Sequence, residues 1–261
     1  MKQTTPVRLL VHADDLGMSP RVNDAIFQAM EAGRVTSASI LANGPAVEDA
    51  VARSSAFPHA SFGVHLNLTE FSPLTRSPAL GFLTGADGAF AGRRDLLCRF
   101  ATVHRPEVFR ALVAEWVAQV DRIRQFGVPI SHLDSHNHAH LVVQMVWVLK
   151  AVQARTGIRR IRPAMDLFDG RRYAADRVTR AKRRIQNAVL RCLPETRTPD
   201  HFTSLAAFVD PVAHGGVHPG ESVEVMVHPG HPACSEENAL LATPWEQTLP
   251  WPVRRICYRD L

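Results

Sequence analysis

No apolar run in the 261 residues approaches the roughly 20 that a membrane-spanning helix needs. The apolar stretch at residues 7–11 is too short for a signal-peptide core and runs straight into charged residues. A soluble, cytoplasmic protein without a targeting segment is therefore expected. Cysteine is scarce: Cys98, Cys192, Cys234 and Cys257 are scattered, with no Cys-x-x-Cys pair. That argues against a disulfide framework and against a cysteine zinc site. A composition 46% hydrophobic and 21% charged is ordinary for a globular chain and excludes one dominated by disorder.

Charge is uneven. Residues 171–193 hold eight Arg/Lys against one acid, Asp176, so most of the net charge of +5 is local. This segment reads as a basic helix with Val178, Ile185, Val189 and Leu193 near one face. A solvated face is the plainer reading; a patch for anionic lipid or an acidic partner is the sharper one. No recognition motif accompanies the charge, so nucleic acid is not expected as a partner. The sequence leaves a homodimer open.

What the chain has in quantity is histidine, 13 in all and clustered. Short apolar runs at 8–12, 37–41, 61–66, 130–134, 158–162 and 222–227 read as buried strands, with 254–258 as a final short one. Helical patterns lie between them. One begins at Ser19-Pro20, an N-cap with proline at the first helical position, and runs to about residue 32 with Gly33 at its end. Others are read at 47–55, at 106–126 with Val108, Leu112, Trp116, Val120 and Ile123 on one face, and at 142–156. Alternating strands and helices predict a parallel α/β sheet. With no long repeat or linker, one domain over 1–261 is expected, carrying a loop insertion at 72–104.

Asp14 and Asp15, His65, Asp134 with His136, and His228 each follow a different strand. In a parallel α/β barrel the C-terminal ends of all strands open on one face, so these clusters should converge. Two histidines and a carboxylate with open positions make a common catalytic metal site, and Asp15, His65 and His136 could build one. Asp14 is placed as a general base if the chain turns there, and His228 as a general acid. Asp134 could orient a metal-bound imidazole. Arg162 could contact substrate or hold a carboxylate, and His138 is a second-shell or substrate candidate.

Four stretches in order, His12-Ala-Asp-Asp-Leu-Gly17, Gly63-Val-His-Leu-Asn67, His132-Leu-Asp-Ser-His-Asn-His138 and Val227-His-Pro-Gly230, together resemble the YdjC-like family of carbohydrate deacetylases. That family includes chitooligosaccharide deacetylase and hopanoid-biosynthesis-associated proteins. The resemblance spans the chain from about residue 8 onward. It implies a distorted (β/α) barrel like that of polysaccharide deacetylases. It also implies removal of an N-acetyl group from a carbohydrate or glycolipid, aided by one divalent ion, magnesium or zinc. By the resemblance the ligands fall on Asp15, His65 and His136, the base on Asp14 and the acid on His228. The family often has His at the position of Asn137 and Phe at that of Leu16. Two other readings stay open on residue types alone: a non-haem metal oxygenase, which uses the same ligand set, and a non-catalytic sugar- or lipid-binding barrel.

Overall fold

A computed structural model describes residues 5–93, 103–168 and 176–261. The expected insertion at 72–104 and the basic segment 171–193 therefore lie partly outside the described residues, at 94–102 and 171–175.

The strands are β1 (Val7–Leu16), β2 (Ser37–Ile40), β3 (Ser61–Leu66), β4 (Ile130–Ser135), β5 (His201–Ser204), β6 (Ser222–Val227) and β7 (Val253–Arg255). All their pairings are parallel, in the order β4-β3-β2-β1-β6-β5, with β7 also on β1. The helices are α1 (Pro20–Glu31), α2 (Val47–Ser54), α3 (Pro106–Gln125), α4 (Val146–Thr156), α5 (Arg177–Cys192), α6 (Leu205–Phe208) and α7 (Ser235–Leu241).

Side chains alternate across each strand, and here the alternation separates two kinds of interior. Leu9, Val11, Ala13, Ala38, Ile40, Val64, Leu133, Val223, Val225 and Val227 point outward into the main hydrophobic core. The intervening His12, Asp14, Ser39, His65, His132, Asp134 and Glu224 point inward and are equally buried. The apolar face of α1 and the expected stripe of α3 supply the outer cover: Val22, Ile26, Met30, Val108, Leu112, Trp116, Val120 and Ile123 are all buried. Ser19 caps α1 as expected, its hydroxyl accepting from Val22 N at 3.3 Å.

Several sequence expectations change. Residues 158–162 do not form a continuous strand; they make isolated bridges, Leu133↔Ile161 and Arg160↔Arg197. Pro163 follows and cannot donate to a ladder. The chain then reaches β5 irregularly, through Asp166 N to Phe202 O at 3.1 Å and Thr203 Oγ1 to Leu167 O at 3.1 Å. The sheet is thus a curled, distorted barrel whose gap between β4 and β5 is spanned by irregular backbone. The helix expected at 142–156 starts at Val146, because Val142 is extended and residues 136–145 form tight turns. The strand expected at 254–258 ends at Arg255, and Tyr258 sits in a 3₁₀ turn. β5 was not anticipated. Within the insertion, the described residues hold a 3₁₀ turn at Pro78–Leu80 and a bridge Thr84↔Phe90.

Gly63 shows how tightly the inner face is filled. A Cβ there would lie 2.4 Å from His132 Nε2, and the His132 ring is stacked on Tyr258 with centroids 3.6 Å apart. The imidazole has nowhere to move. Gly63→Ala is expected to cost about 1–3 kcal/mol of stability, read from denaturant unfolding; a variant as stable as the parent would contradict this packing.

Candidate metal centre and active site

The site begins with a break in β1. Between Ala13↔Ala38 and Leu16↔Ile40 the register slips by one residue, which is a β-bulge. Asp15 takes φ 69° and Gly17 φ 96°, conformations favoured by Asp and Gly. A bulge re-aims side chains that would otherwise alternate. Both carboxylates consequently reach one region, and this is the turn on which the reading of Asp14 depends.

Asp15 Oδ1 lies 2.8 Å from His136 Nδ1 and 3.3 Å from His65 Nε2. Oxygen and nitrogen atoms from Asp15, His65 and His136 all lie within 4.8 Å of one another, and all three residues are buried. His136 is aimed by a sharp turn at the end of β4, where Asn137 and His138 both adopt left-handed backbone (φ 54° and 56°). Such φ values are tolerated best by Asn, Asp and His among residues with a side chain. Asn137 Nδ2 pins the turn by donating to Thr69 Oγ1 at 3.0 Å.

Asp134 does orient an imidazole, and the imidazole is that of His65. His65 Nδ1 is 2.9 Å from Asp134 Oδ1 and 2.9 Å from Ser39 Oγ. With Nδ1–H held by the carboxylate, Nε2 is the nitrogen turned toward Asp15, and once it gives up its proton its lone pair would suit a metal ligand. Arg162 is fully buried and holds carboxylates rather than facing a cleft. Its guanidinium donates to both oxygens of Asp14 at 2.6 and 2.8 Å, lies 3.0 Å from Asp134 Oδ2, and donates through Nε to Glu224 Oε1 at 2.8 Å. Tyr258 donates to the other Glu224 oxygen at 2.6 Å.

This arrangement discriminates among the groups that could hold a cation. Three other groups have similar spacing: Asp14 with His65 and Asp134, His12 with His132 and Asp134, and His228 with Cys234 and Glu237. Arg162 already takes both Asp14 oxygens and Asp134 Oδ2, and Glu237 Oε1 is already bonded to His228 N. Asp15, His65 and His136 have no such occupant, and their donor chemistry fits a divalent transition metal. Charge points the same way. Asp14, Asp15, Asp134 and Glu224 are buried around one buried cationic side chain, Arg162. Burial opposes charging the His65 ring, yet Asp134 and Asp14 outweigh it and raise its pKa to about 10. Asp15 is likewise pulled well below the usual carboxylate range, burial being overcome by its contacts with His136 and His65.

His228 follows β6, half-buried, with Nε2 3.9 Å from Asp14 Oδ2. Glu237, in the first turn of α7, holds it from behind: Oε1 accepts from His228 N at 2.6 Å and lies 3.3 Å from Nδ1. Burial disfavours the imidazolium, but contacts with Cys234 and Glu237 and the nearby Asp14 raise its pKa well above the ordinary value. Beside the cluster opens a cleft of about 490 Å³, lined by Asn137, His138, Lys182, Arg183 and Phe202 among others. His138 therefore faces the cleft, its ring edge-on to Phe202. His140 is tied to Ser135 and to the Arg162 carbonyl.

The sequence reading missed Glu70, Ser39, Glu224 and Glu237. Glu70 Oε1 lies 3.2 Å from His136 Nε2. Its loop is shaped by Asn67, whose Oδ1 accepts from Thr69 N and Glu70 N; the Asn67 at the end of the second motif was the one available signal.

A family model described as YdjC-like protein matches residues 8–250. The chain belongs to the YdjC-like family. All four motifs of this YdjC-like protein lie within the match. It is 30% identical over 235 residues to a carbohydrate deacetylase of Geobacillus stearothermophilus, covering 87% of this chain and 80% of that one. It is 34% identical over 148 residues to a carbohydrate deacetylase of Vibrio campbellii, covering 56% of this chain and only 55% of that protein's length. A solved structure of a candidate cellobiose-phosphate cleavage protein from Enterococcus faecalis V583 superposes with a TM-score of 0.73 at 21% identity. That superposition covers 98% of this chain and 99% of the other, and establishes a shared fold.

The His65 shift has a measurable consequence. Its proton is held on both ring nitrogens up to about pH 10, so a cation binding through Nε2 must displace one. Adding zinc near neutral pH to the metal-free protein should release at least one proton per ion, and affinity should fall as the pH is lowered. Calorimetry in two buffers of different ionisation enthalpy measures this; no proton release would remove His65 as a ligand.

Proposed function

We propose that this protein is a metal-dependent hydrolase that removes an N-acetyl group from a carbohydrate or glycolipid. The observation that carries the reading is the meeting of Asp14 and His228, 3.9 Å apart, beside the Asp15, His65 and His136 set. Relatives named carbohydrate deacetylase and membership of the YdjC-like family support the substrate class. The parallel sheet is unlike the jelly roll typical of non-haem oxygenases, and no observation favours that alternative.

In this reading Asp15, His65 and His136 hold one divalent ion. When bound, it supplies Lewis acidity toward an acyl oxygen and acidifies water. The mixed imidazole and carboxylate donors lean toward zinc or another transition metal. Asp14 takes the proton from the attacking water. Burial raises its pKa, but Arg162 outweighs burial and keeps the carboxylate ionised. The same two hydrogen bonds fix its orientation. His228, held charged by Glu237, gives a proton to the departing amine nitrogen. Arg162 and Asp134 act as positioning residues, the first on Asp14 and the second on His65. His138 and Phe202 line the space open to the sugar.

Asp14→Asn should lower acetate release from N-acetylated sugars by about 10²–10⁴-fold while zinc still binds with unchanged stoichiometry. Retained activity would overturn the base assignment, and lost metal binding would overturn its separation from Asp15.

Glu237→Gln tests the acid. The general acid works in its protonated form, so activity falls as pH rises through the His228 pKa. Removing the Glu237 charge lowers that pKa, and the alkaline limb of kcat/KM should move to lower pH by about one unit. An unmoved limb would exclude His228 as the acid.

A further inference from the structure

Helix α5 presents its apolar stripe to the outside. Val178 is 76% exposed, Ile185 64% and Val189 41%. Ala181 and Ala188, at matching helical positions, are exposed as well. The opposite side is held down by Asn187 and Leu190, the two buried residues of the helix. Asn187 is the anchor: its side chain accepts from Ala164 N at 2.7 Å and donates to Ala164 O at 2.9 Å. The orientation of the helix is therefore fixed, and its exposed stripe is not a core face awaiting packing.

The patch extends beyond the helix. Val143 is 59% exposed and Trp147, on the first turn of α4, is 67% exposed. Between Val143 and α5 runs a groove of about 480 Å³ lined by Val143, Val178, Ala181 and Ile185 together with Arg177 and Lys182, and Trp147 lines a neighbouring hollow that shares Val143. Among the described residues, no aspartate or glutamate lines this groove, the hollow beside Trp147, or the adjoining cleft. Helix α5 itself carries six Arg/Lys and no acid. No helix among the described residues is long and apolar enough to cross a membrane.

We infer that this face is a docking surface for an anionic lipid bilayer, on which α5 lies in the plane of the headgroups. An outward apolar stripe flanked by cations is the pattern of an interfacial helix: the stripe enters the acyl boundary and the cations meet lipid phosphates. An exposed tryptophan at the rim fits the same interface, where its ring finds an apolar and a wet side together. Pairing of this face with a second copy would set two such acid-free helices against each other, and like charges oppose that contact. The groove and the cleft beside the metal centre share Val143, Lys182 and Gln186, so docking would bring the mouth of the cleft to headgroup level. The inference rests on this surface alone and is independent of the chemistry proposed for the site.

Co-sedimentation with vesicles tests it. The full chain is mixed with phosphatidylcholine vesicles and with vesicles containing about 30% phosphatidylglycerol, at low and high salt. Retention should be at least tenfold greater on the anionic vesicles and fall steeply with salt. Each interfacial cation contributes about fivefold to binding, so Arg177→Gln with Arg184→Gln should weaken it by roughly 25-fold. Replacing Val178, Ile185 and Val189 together by Ser should abolish retention without changing thermal unfolding, since all three are exposed. Trp147 emission should shift to the blue on binding, and Trp147→Phe should remove the shift. Equal retention on both vesicle types, or none on either, would overturn the inference. So would a dimer in light scattering that the triple Ser variant dissociates, since the face would then be covered by a second copy.

Discussion

Everything inside this barrel is arranged around one buried guanidinium. Arg162 is fully enclosed and touches Asp14, Asp134 and Glu224, each from a different strand. A carboxylate stripped of water is costly unless it is paired and hydrogen-bonded. Three strands can present carboxylates to the same interior because the irregular segment after β4 delivers a planar cation with donors on several sides. The backbone at Arg162 still bonds to Leu133 of β4, and Pro163 ends the pairing immediately after it.

The pairing has a second effect, on the neighbouring groups. One guanidinium does not balance four buried carboxylates, and the deficit falls where Arg162 does not reach, at Asp15. There two imidazoles gather, one of them held from behind by Asp134. These rings hold protons more tightly than free imidazoles do, and the carboxylates around them are the cause. The bulge at Asp14 and Asp15 separates the two aspartates between these environments. Asp14 belongs to the guanidinium and stays ionised without a metal; Asp15 faces the imidazoles. The proposed division between base and ligand thus follows from which cation each residue meets.

Much of this was legible along the chain. The strands β1, β2, β3, β4 and β6, the α1 cap and the α3 stripe follow from apolar runs, Ser19-Pro20 and helical spacing, because local steric and hydrophobic rules act over few residues. The convergence of Asp14, Asp15, His65, Asp134, His136 and His228 followed from strand ends alone. Residues 158–162 read as a strand because their composition is strand-like, and composition does not report whether a partner ladder exists. β5, with four residues, has too little pattern to read. Glu224 and Glu237 are single acids with nothing local to distinguish them from surface acids; their importance comes from Arg162 and His228, 62 and 9 residues away in the chain.

The sequence by itself determined that a cluster of Asp and His side chains would stand at the strand ends of a parallel barrel, since a two-residue period and the direction of the strands are local properties. Helix α5 marks the boundary of that reach. Its periodicity established an apolar stripe and a cluster of cations, but a stripe has no intrinsic inside. Asn187, bonded to the backbone of Ala164, turned the helix so that the stripe faces out. Which imidazole Asp134 orients, which aspartate Arg162 claims and which side of α5 meets its surroundings were decided only by tertiary structure. Each depends on the relative placement of groups far apart in the chain, and no local rule encodes that placement.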